Sequence, residues 1–189
     1  MKSKFILFLL LVFQFGFTQN EILVKNSSDI PIEKKLTYTQ FDIVVPFKGN
    51  KNRGESYPDG TTNTNWFLPD GIGAKFGYGI HYNKWVGISL NSGLDFYASY
   101  KLVTAPVFTN FRISPKIGEN TRITLQYGIG KSLAIGRGDL QGTYQRGSIG
   151  IENGDGICLF IEGNNHGFII GNSIDKVYSI NIGISLFNF

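Results

Sequence analysis

The chain has 189 residues, including 24 glycines and 16 phenylalanines, with 17% charged residues and a formal charge of +4. That length suits one domain. Sparse charge with many aromatics excludes a disordered chain, and so much glycine excludes a helical one, which leaves an all-β protein. The single cysteine, Cys158, excludes a disulfide scaffold.

The first element is not part of a fold. Lys2 and Lys4 precede an apolar run from Phe5 to Phe13, then "QFGFTQN". A basic start, a short hydrophobic stretch and a small residue near position 18 describe a secretory signal peptide over 1–19, cut after Thr18 or Gln19. The run is short for a membrane-spanning helix; an uncleaved anchor is the alternative. Without Lys2 and Lys4 the chain carries 16 basic and 14 acidic residues, so there is no electrostatic case for nucleic acid. Residues 20–35 read as a polar, periplasmic lead-in.

From Leu36 to Phe189 alternation takes over, with period-two faces that mark strands. The first candidate sets Phe41, Ile43 and Val45 against Gln40 and Asp42. The link after it, "KGNKNRGESYPDGTTNTN", reads as a mobile polar loop. The second strand, Ile72 to Tyr82, opposes Ile72, Ala74, Phe76, Tyr78, Ile80 and Tyr82 to Gly73, Lys75, Gly77, Gly79 and His81. The third, Val86 to Phe96, carries Asp95 on its polar face. The fourth turns Val103, Ala105, Val107, Phe111 and Ile113 away from Asn110 and Arg112. The fifth pairs Ile123, Leu125, Tyr127 and Ile129 with Arg122, Thr124, Gln126, Gly128 and Gly130. A sixth runs near Thr143 to Glu152. A seventh starts at Ile157 and carries Cys158 and Glu162 on its polar side. The eighth opposes Tyr178, Ile180, Ile182, Ile184 and Leu186 to Ser179, Asn181, Gly183 and Ser185. Pro46 and Pro106 predict fraying or bulges in the first and fourth.

Tight joins at Asn83-Lys84 and "NGDG" (Asn153 to Gly156), with "SPKIGEN" between strands four and five, are expected to alternate with long links. Those lie at Phe47 to Asp70, Tyr97 to Leu102, Ser132 to Gly142 and Asn164 to Lys176.

The polar face decides which way the sheet is turned. It is mostly Gly, Ser and Asn, residues that suit the cramped lumen of a narrow barrel. Strands two, three and eight have the 9–11 residues that tilted membrane strands need. Aromatics gather at both ends, as girdles do: Trp66, Phe67, Phe96, Tyr97 and Tyr100 at one, Tyr82, Trp85, Phe187 and Phe189 at the other. The expected fold is an all-β, eight-stranded, antiparallel up-and-down transmembrane barrel. A soluble lipocalin-like ligand-binding barrel is the alternative.

In these features the chain resembles the small outer-membrane β-barrel proteins of Gram-negative bacteria. "TAPVFTNFRIS" (Thr104 to Ser114) and "ITLQYGIGKSLAIG" look like the barrel half of the Bacteroidota outer-membrane β-barrel family. The resemblance implies a place in the outer membrane, lipid on the outer wall, and the barrel-assembly machinery as a partner during insertion. "YSINIGISLFNF" is similar to the terminal strand that this machinery reads, through Tyr178, Ile180, Ile182, Ile184, Leu186, Phe187 and Phe189. It departs in phase, because Phe187 and Phe189 alternate with the isoleucine face. A bulge near Leu186 or aromatics turned to the interface would reconcile them.

Polar residues of lumen phase are Asp42, Lys75, His81, Asp95, Arg112, Arg122, Glu152 and Glu162. The near balance of charge fits a salt-bridged plug rather than an open channel. Catalysis is not expected. A lipid A-modifying barrel resembles a serine hydrolase with a His-x-Ser pair, and neither His81-Tyr82-Asn83 nor His166-Gly167-Phe168 supplies one. No metal spacing is present, no cofactor is implied, and Cys158 reads as a buried inert thiol. "GIGKS" lacks phosphate-loop spacing. "GRGD", Gly136 to Asp139, contains an adhesion tripeptide of a length that arises by chance in a glycine-rich loop. The expected role is structural or surface-interacting.

Overall fold

The computed structural model describes residues 35–136, 140–169 and 176–189. The expected signal peptide, the lead-in up to residue 34 and Arg137 to Asp139 of "GRGD" lie outside the described residues.

The strands are β1 (Thr37–Gly49), β2 (Phe67–Pro69), β3 (Gly71–Tyr82), β4 (Val86–Tyr97), β5 (Leu102–Ile113), β6 (Thr121–Ile135), β7 (Gln141–Asn153), β8 (Ile157–Ile169) and β9 (Lys176–Asn188). All but the three-residue β2 form one antiparallel meander, and β1 also pairs with β9, so the sheet closes on itself as an eight-stranded barrel. Closure satisfies the backbone groups that an open edge would leave bare.

The register fixes the tilt. Starting at Thr37 it passes through Ile80, Ile88, Phe111, Tyr127, Gly147, Gly163 and Ile180, and re-enters β1 at Phe47, ten residues on. A stagger of that size inclines eight strands by roughly 40° to the barrel axis and leaves an interior that side chains can fill.

Side-chain alternation follows the expected phase. On β3, Ile72, Phe76, Tyr78, Ile80 and Tyr82 are exposed, while Lys75 and His81 are buried. On β9, Tyr178, Ile180, Ile182, Ile184 and Leu186 are exposed, whereas Ser179, Asn181 and Ser185 are buried. The same arrangement runs round the wall, so the apolar face points outward and the small-polar face inward. In water this wall would be an aggregation surface; against lipid it is the solvated side.

Neither a bulge near Leu186 nor a turn of Phe187 to the interface occurs. The β1–β9 register is continuous from Asn188 to Ile180, Leu186 faces out, and Phe187 points into the lumen at 6% exposure. The two phenylalanines keep strict alternation because they belong to the inside of the barrel.

The prolines sit at interruptions, as their missing N–H requires. The β4–β5 ladder skips Ala105 and Pro106 and resumes in unchanged register, so no bulge forms there. At Pro46 the partner of β1 changes from β3 to β2, with a one-residue change of register between Val44↔Gly73 and Phe47↔Pro69.

The alternation of long and short links is weaker than expected. The turn between β4 and β5 has only residues 98–101, shorter than the 114–120 connection at the opposite end. The strands simply run into the segments read as links: β6 reaches Ile135 and β8 reaches Ile169. At the tight β3–β4 join, Asn83 and Lys84 have φ of 51° and 59°. That left-handed pair matches the twist of the hairpin, and Asn tolerates it best among non-glycine residues.

The first link is a hairpin and not an irregular loop. Asn50 N donates to Trp66 O, Gly54 N to Asn63 O, Asn63 N to Glu55 O, and Tyr57 N to Thr61 O. The Arg53 guanidinium lies 3.3 Å from the Trp66 ring centroid and holds the two arms together.

Candidate functional site

The lumen is built in layers, and each barrel strand contributes to it. The central layer is ionic. Arg146 on β7 donates through Nη1 to Asp42 Oδ2 on β1 at 3.0 Å, and its Nη2 lies 2.7 Å from Glu162 Oε2 on β8. Lys75 on β3 donates to Glu162 Oε1 at 2.9 Å and lies 3.3 Å from Asp95 Oδ1 on β4. Amides donate to Asp42 and Glu162, whereas Asp95 has only its ion pair with Lys75. Gln40 donates to both oxygens of Asp42 and to Gln126 on β6, Asn110 on β5 donates to Gln126, and Asn181 on β9 donates to Glu162. The Ser185 hydroxyl also donates to Asp42. All of these side chains are buried. A buried charge is tolerable only with such pairing, because desolvation costs several kcal/mol per ion.

Towards the short-turn end lie Tyr38, Cys158, Phe160 and Phe187, with Phe189 packed against them; Val44, just above Asp42 on β1, joins the same apolar cluster. Below it, Arg112 pairs with Glu152, whose Oε2 also accepts from Ser114 and Thr124. The Arg112 guanidinium stands 4.4 Å over Phe187 and 5.0 Å over Phe189. His81 belongs to this floor, edge-on to Phe189 at 5.0 Å between ring centroids, with Nδ1 accepting from Lys84 N. Towards the other end, Tyr97, Leu102, Ala134, Phe168 and Val177 form a second apolar layer. The ionic layer is therefore closed off on both sides.

Glycine makes room for this filling. A Cβ on Gly128 would stand 2.7 Å from Arg146 Cγ and 2.7 Å from Phe108 Cδ2. One on Gly183 would meet Phe160 Cζ at 2.6 Å and Val44 Cγ1 at 2.8 Å. The bare backbone at these points is what lets large side chains from the two neighbouring strands lean over it into the lumen.

Of the eight residues expected in the lumen network, Asp42, Lys75, Asp95 and Glu162 meet in the central layer, and Arg112 with Glu152 form the lower pair. His81 is in the floor, apart from the ionic groups. Arg122 is a correction. It is half-buried at the short-turn rim and donates to the Ser114 carbonyl, because the carboxylate of its strand partner Glu152 is taken by Arg112. The central cation is instead Arg146, which sequence reasoning missed. The sign was available: Arg146 and Glu152 share a parity on one strand.

The absence of a base near a nucleophile is also corrected. Ser132 Oγ lies 2.8 Å from His166 Nδ1, with Asp95 Oδ2 at 3.9 Å from Nε2. Tyr97 Oη occupies Nε2 at 2.8 Å, and Ser132 and His166 are both 0% exposed. The hydrogen-bonded set is therefore Ser132–His166–Tyr97, fully buried, with Asp95 beyond hydrogen-bond distance. Cys158 is fully buried at the floor.

Outside the membrane span, Asp59 accepts from the Thr61 hydroxyl at 2.6 Å and from its N–H at 2.9 Å. These two bonds, the hydroxyl first, hold the Asp59 carboxyl below its ordinary range. A lowered carboxylate stabilises the hairpin tip above its unfolded pKa and loses that contribution as pH falls through the folded one. Protection of the Thr61 amide from exchange should decrease on acidification, and in Asp59→Asn it should be low and independent of pH.

No family model matches the chain, and no curated protein matches it. Solved structures similar to the chain include these two. Neisserial surface protein A aligns with a TM-score of 0.58 at 10% identity, over 80% of this chain and 95% of that one. Ail, the attachment invasion locus protein of Yersinia pestis, aligns with a TM-score of 0.38 at 11% identity, over 80% and 97%. The first likeness establishes the fold, a small eight-stranded barrel of outer-membrane type.

Proposed function

We propose that this chain is an integral outer-membrane barrel that acts through its loops and lipid-facing wall, as a structural or surface-interaction protein with no transport or catalysis in its lumen. The observation that carries this reading is the closed interior: an ionic layer between two apolar layers, inside a wall that is apolar outward. The likeness to Neisserial surface protein A supports the fold and, by that protein's name, a surface role. Lipid is the partner along the wall. The barrel-assembly machinery is the partner during insertion, with β9 as the strand it reads. The "TAPVFTNFRIS" segment supports a barrel of Bacteroidota type. Against an acyl hydrolase stands the burial of Ser132 and His166, which leaves that pair nothing to attack.

Reconstituted into planar bilayers, the folded chain should give a silent membrane. Reproducible open-channel steps would sink the closed-lumen reading, and recovery in a detergent-free soluble fraction would sink the membrane reading.

A further inference from the structure

Ser92 on β4 and Thr109 on β5 are single polar positions on the outer wall, and among the described residues a larger polar group surrounds a lysine on β6. On β6 the outward row reads Leu125, Tyr127, Ile129, Lys131, Leu133, Ile135. Lys131 pairs in register with Thr143 on β7; next to it Ile129 pairs with Gln145, and Gln145 pairs with Asn165 on β8. Lys131, Thr143 and Gln145 are exposed and Asn165 is half-buried, so three adjacent strands present polar groups to the lipid side. Elsewhere the upper wall carries Ile72, Leu94, Val107 and Ile180. Directly below the polar group, Gly147 and Gly163 face each other across β7 and β8, and a Cβ on either would meet nothing within 4 Å. A polar shelf thus stands above a strip of wall without side chains, near the end that carries the β6–β7 loop.

We infer that this shelf is a fixed seat for a phosphorylated glycolipid. Its phosphate lies against Lys131, its sugar hydroxyls against Thr143, Gln145 and Asn165, and an acyl chain along the strip at Gly147 and Gly163. The inference rests on the membrane placement proposed above.

Charge decides the occupant. Among the described residues, Lys131 has no carboxylate within ion-pair distance, and no outward-facing strand position carries Asp or Glu. A lysine facing lipid is unfavourable by up to about 2–4 kcal/mol at mid-membrane and less near the interface, so an anion beside it gains from a charge already desolvated. A second copy of the chain cannot supply that anion from its own wall, and would set lysine against lysine. Three amide and hydroxyl side chains clustered on β7 and β8 suit a polyhydroxylated head better than a bare glycerophosphate.

The test uses the full chain, folded in nanodiscs of phosphatidylcholine doped with either lipid A or phosphatidylglycerol, and counts co-purifying lipids by native mass spectrometry. Lipid A should be retained in preference to phosphatidylglycerol. Lys131→Gln should lower that retention about fivefold, the worth of one basic contact, while Lys131→Arg keeps it. Gly163→Ile should weaken it by filling the strip, and Lys51→Gln in the hairpin should leave it unchanged. Equal retention by wild type and Lys131→Gln would overturn the seat. Equal retention of the two lipids would overturn the glycolipid assignment, and a lipid-free dimer lost in Lys131→Gln would overturn it in favour of a second copy. Heat-modifiable gel mobility is read alongside in every variant. Its loss in wild type would overturn the membrane barrel itself, and its persistence confines a failure to the seat.

Discussion

Replacing Arg146 by methionine should lower the unfolding free energy of the bilayer-embedded barrel by about 3–5 kcal/mol, the cost of breaking a buried ion pair from one side. Arg146 is the cation between Asp42 and Glu162. Without it Glu162 keeps Lys75, but Asp42 keeps only the dipoles of Gln40 and Ser185. Adding Asp42→Asn to the methionine variant should therefore restore part of the loss, whereas adding Glu162→Gln should deepen it by leaving Lys75 with Asp95 alone. Urea unfolding in lipid vesicles, followed by the fluorescence of Trp66 and Trp85, measures all three. A loss below about 1 kcal/mol would mean that the pair behaves like an exposed one and that water reaches the layer.

Phe187→Ala should cost a similar amount, about 3–5 kcal/mol, by leaving a cavity in the floor. Phe187 packs in the layer with Tyr38, Val44, Cys158 and Phe160, and its ring lies under the Arg112 guanidinium. Leu186→Ala, one residue away on the lipid face, should cost much less because lipid chains close over the gap. Refolding into vesicles without any assembly factor separates two readings of this residue. A stability loss there belongs to the floor. Unchanged stability in vesicles, with a defect seen only in cells, would leave Phe187 as part of an insertion signal and remove its packing role.

Strand identity and facing were legible because both follow from a period of two, which a single chain displays without its partners. Lys75, Asp95, Arg112 and Glu162 were placed inward on that basis alone. Arg146 was harder, because the outward face of upper β7 reads Thr143, Gln145 and Gly147 and gives no apolar contrast to set the phase. The feature that hid Arg146 is the same polar shelf that sets this part of the wall apart. His166 was lost for a related reason: the outward side of upper β8 holds Gly163, Asn165 and Gly167, and reads as a link. Arg122 had the right parity but the wrong height. Parity says which side of the wall a side chain leaves from, and nothing about which of two arginines, Arg112 or Arg122, reaches Glu152 first. Pairing of that kind depends on stagger, which is a property of the closed sheet.

The fit of Gly128 to Arg146 and Phe108, and of Gly183 to Phe160 and Val44, ties together positions far apart in the chain. Drift in such a lumen cannot proceed one site at a time. A larger residue at position 128 would be lethal to packing alone and acceptable once the side chain opposite had shortened. A screen for second-site suppressors of Gly128→Val should return changes at 108 and 146, on β5 and β7, and few elsewhere. The interior would then evolve as matched sets on neighbouring strands, while the hairpin at 50–66, which fills no part of it, stays free to change alone.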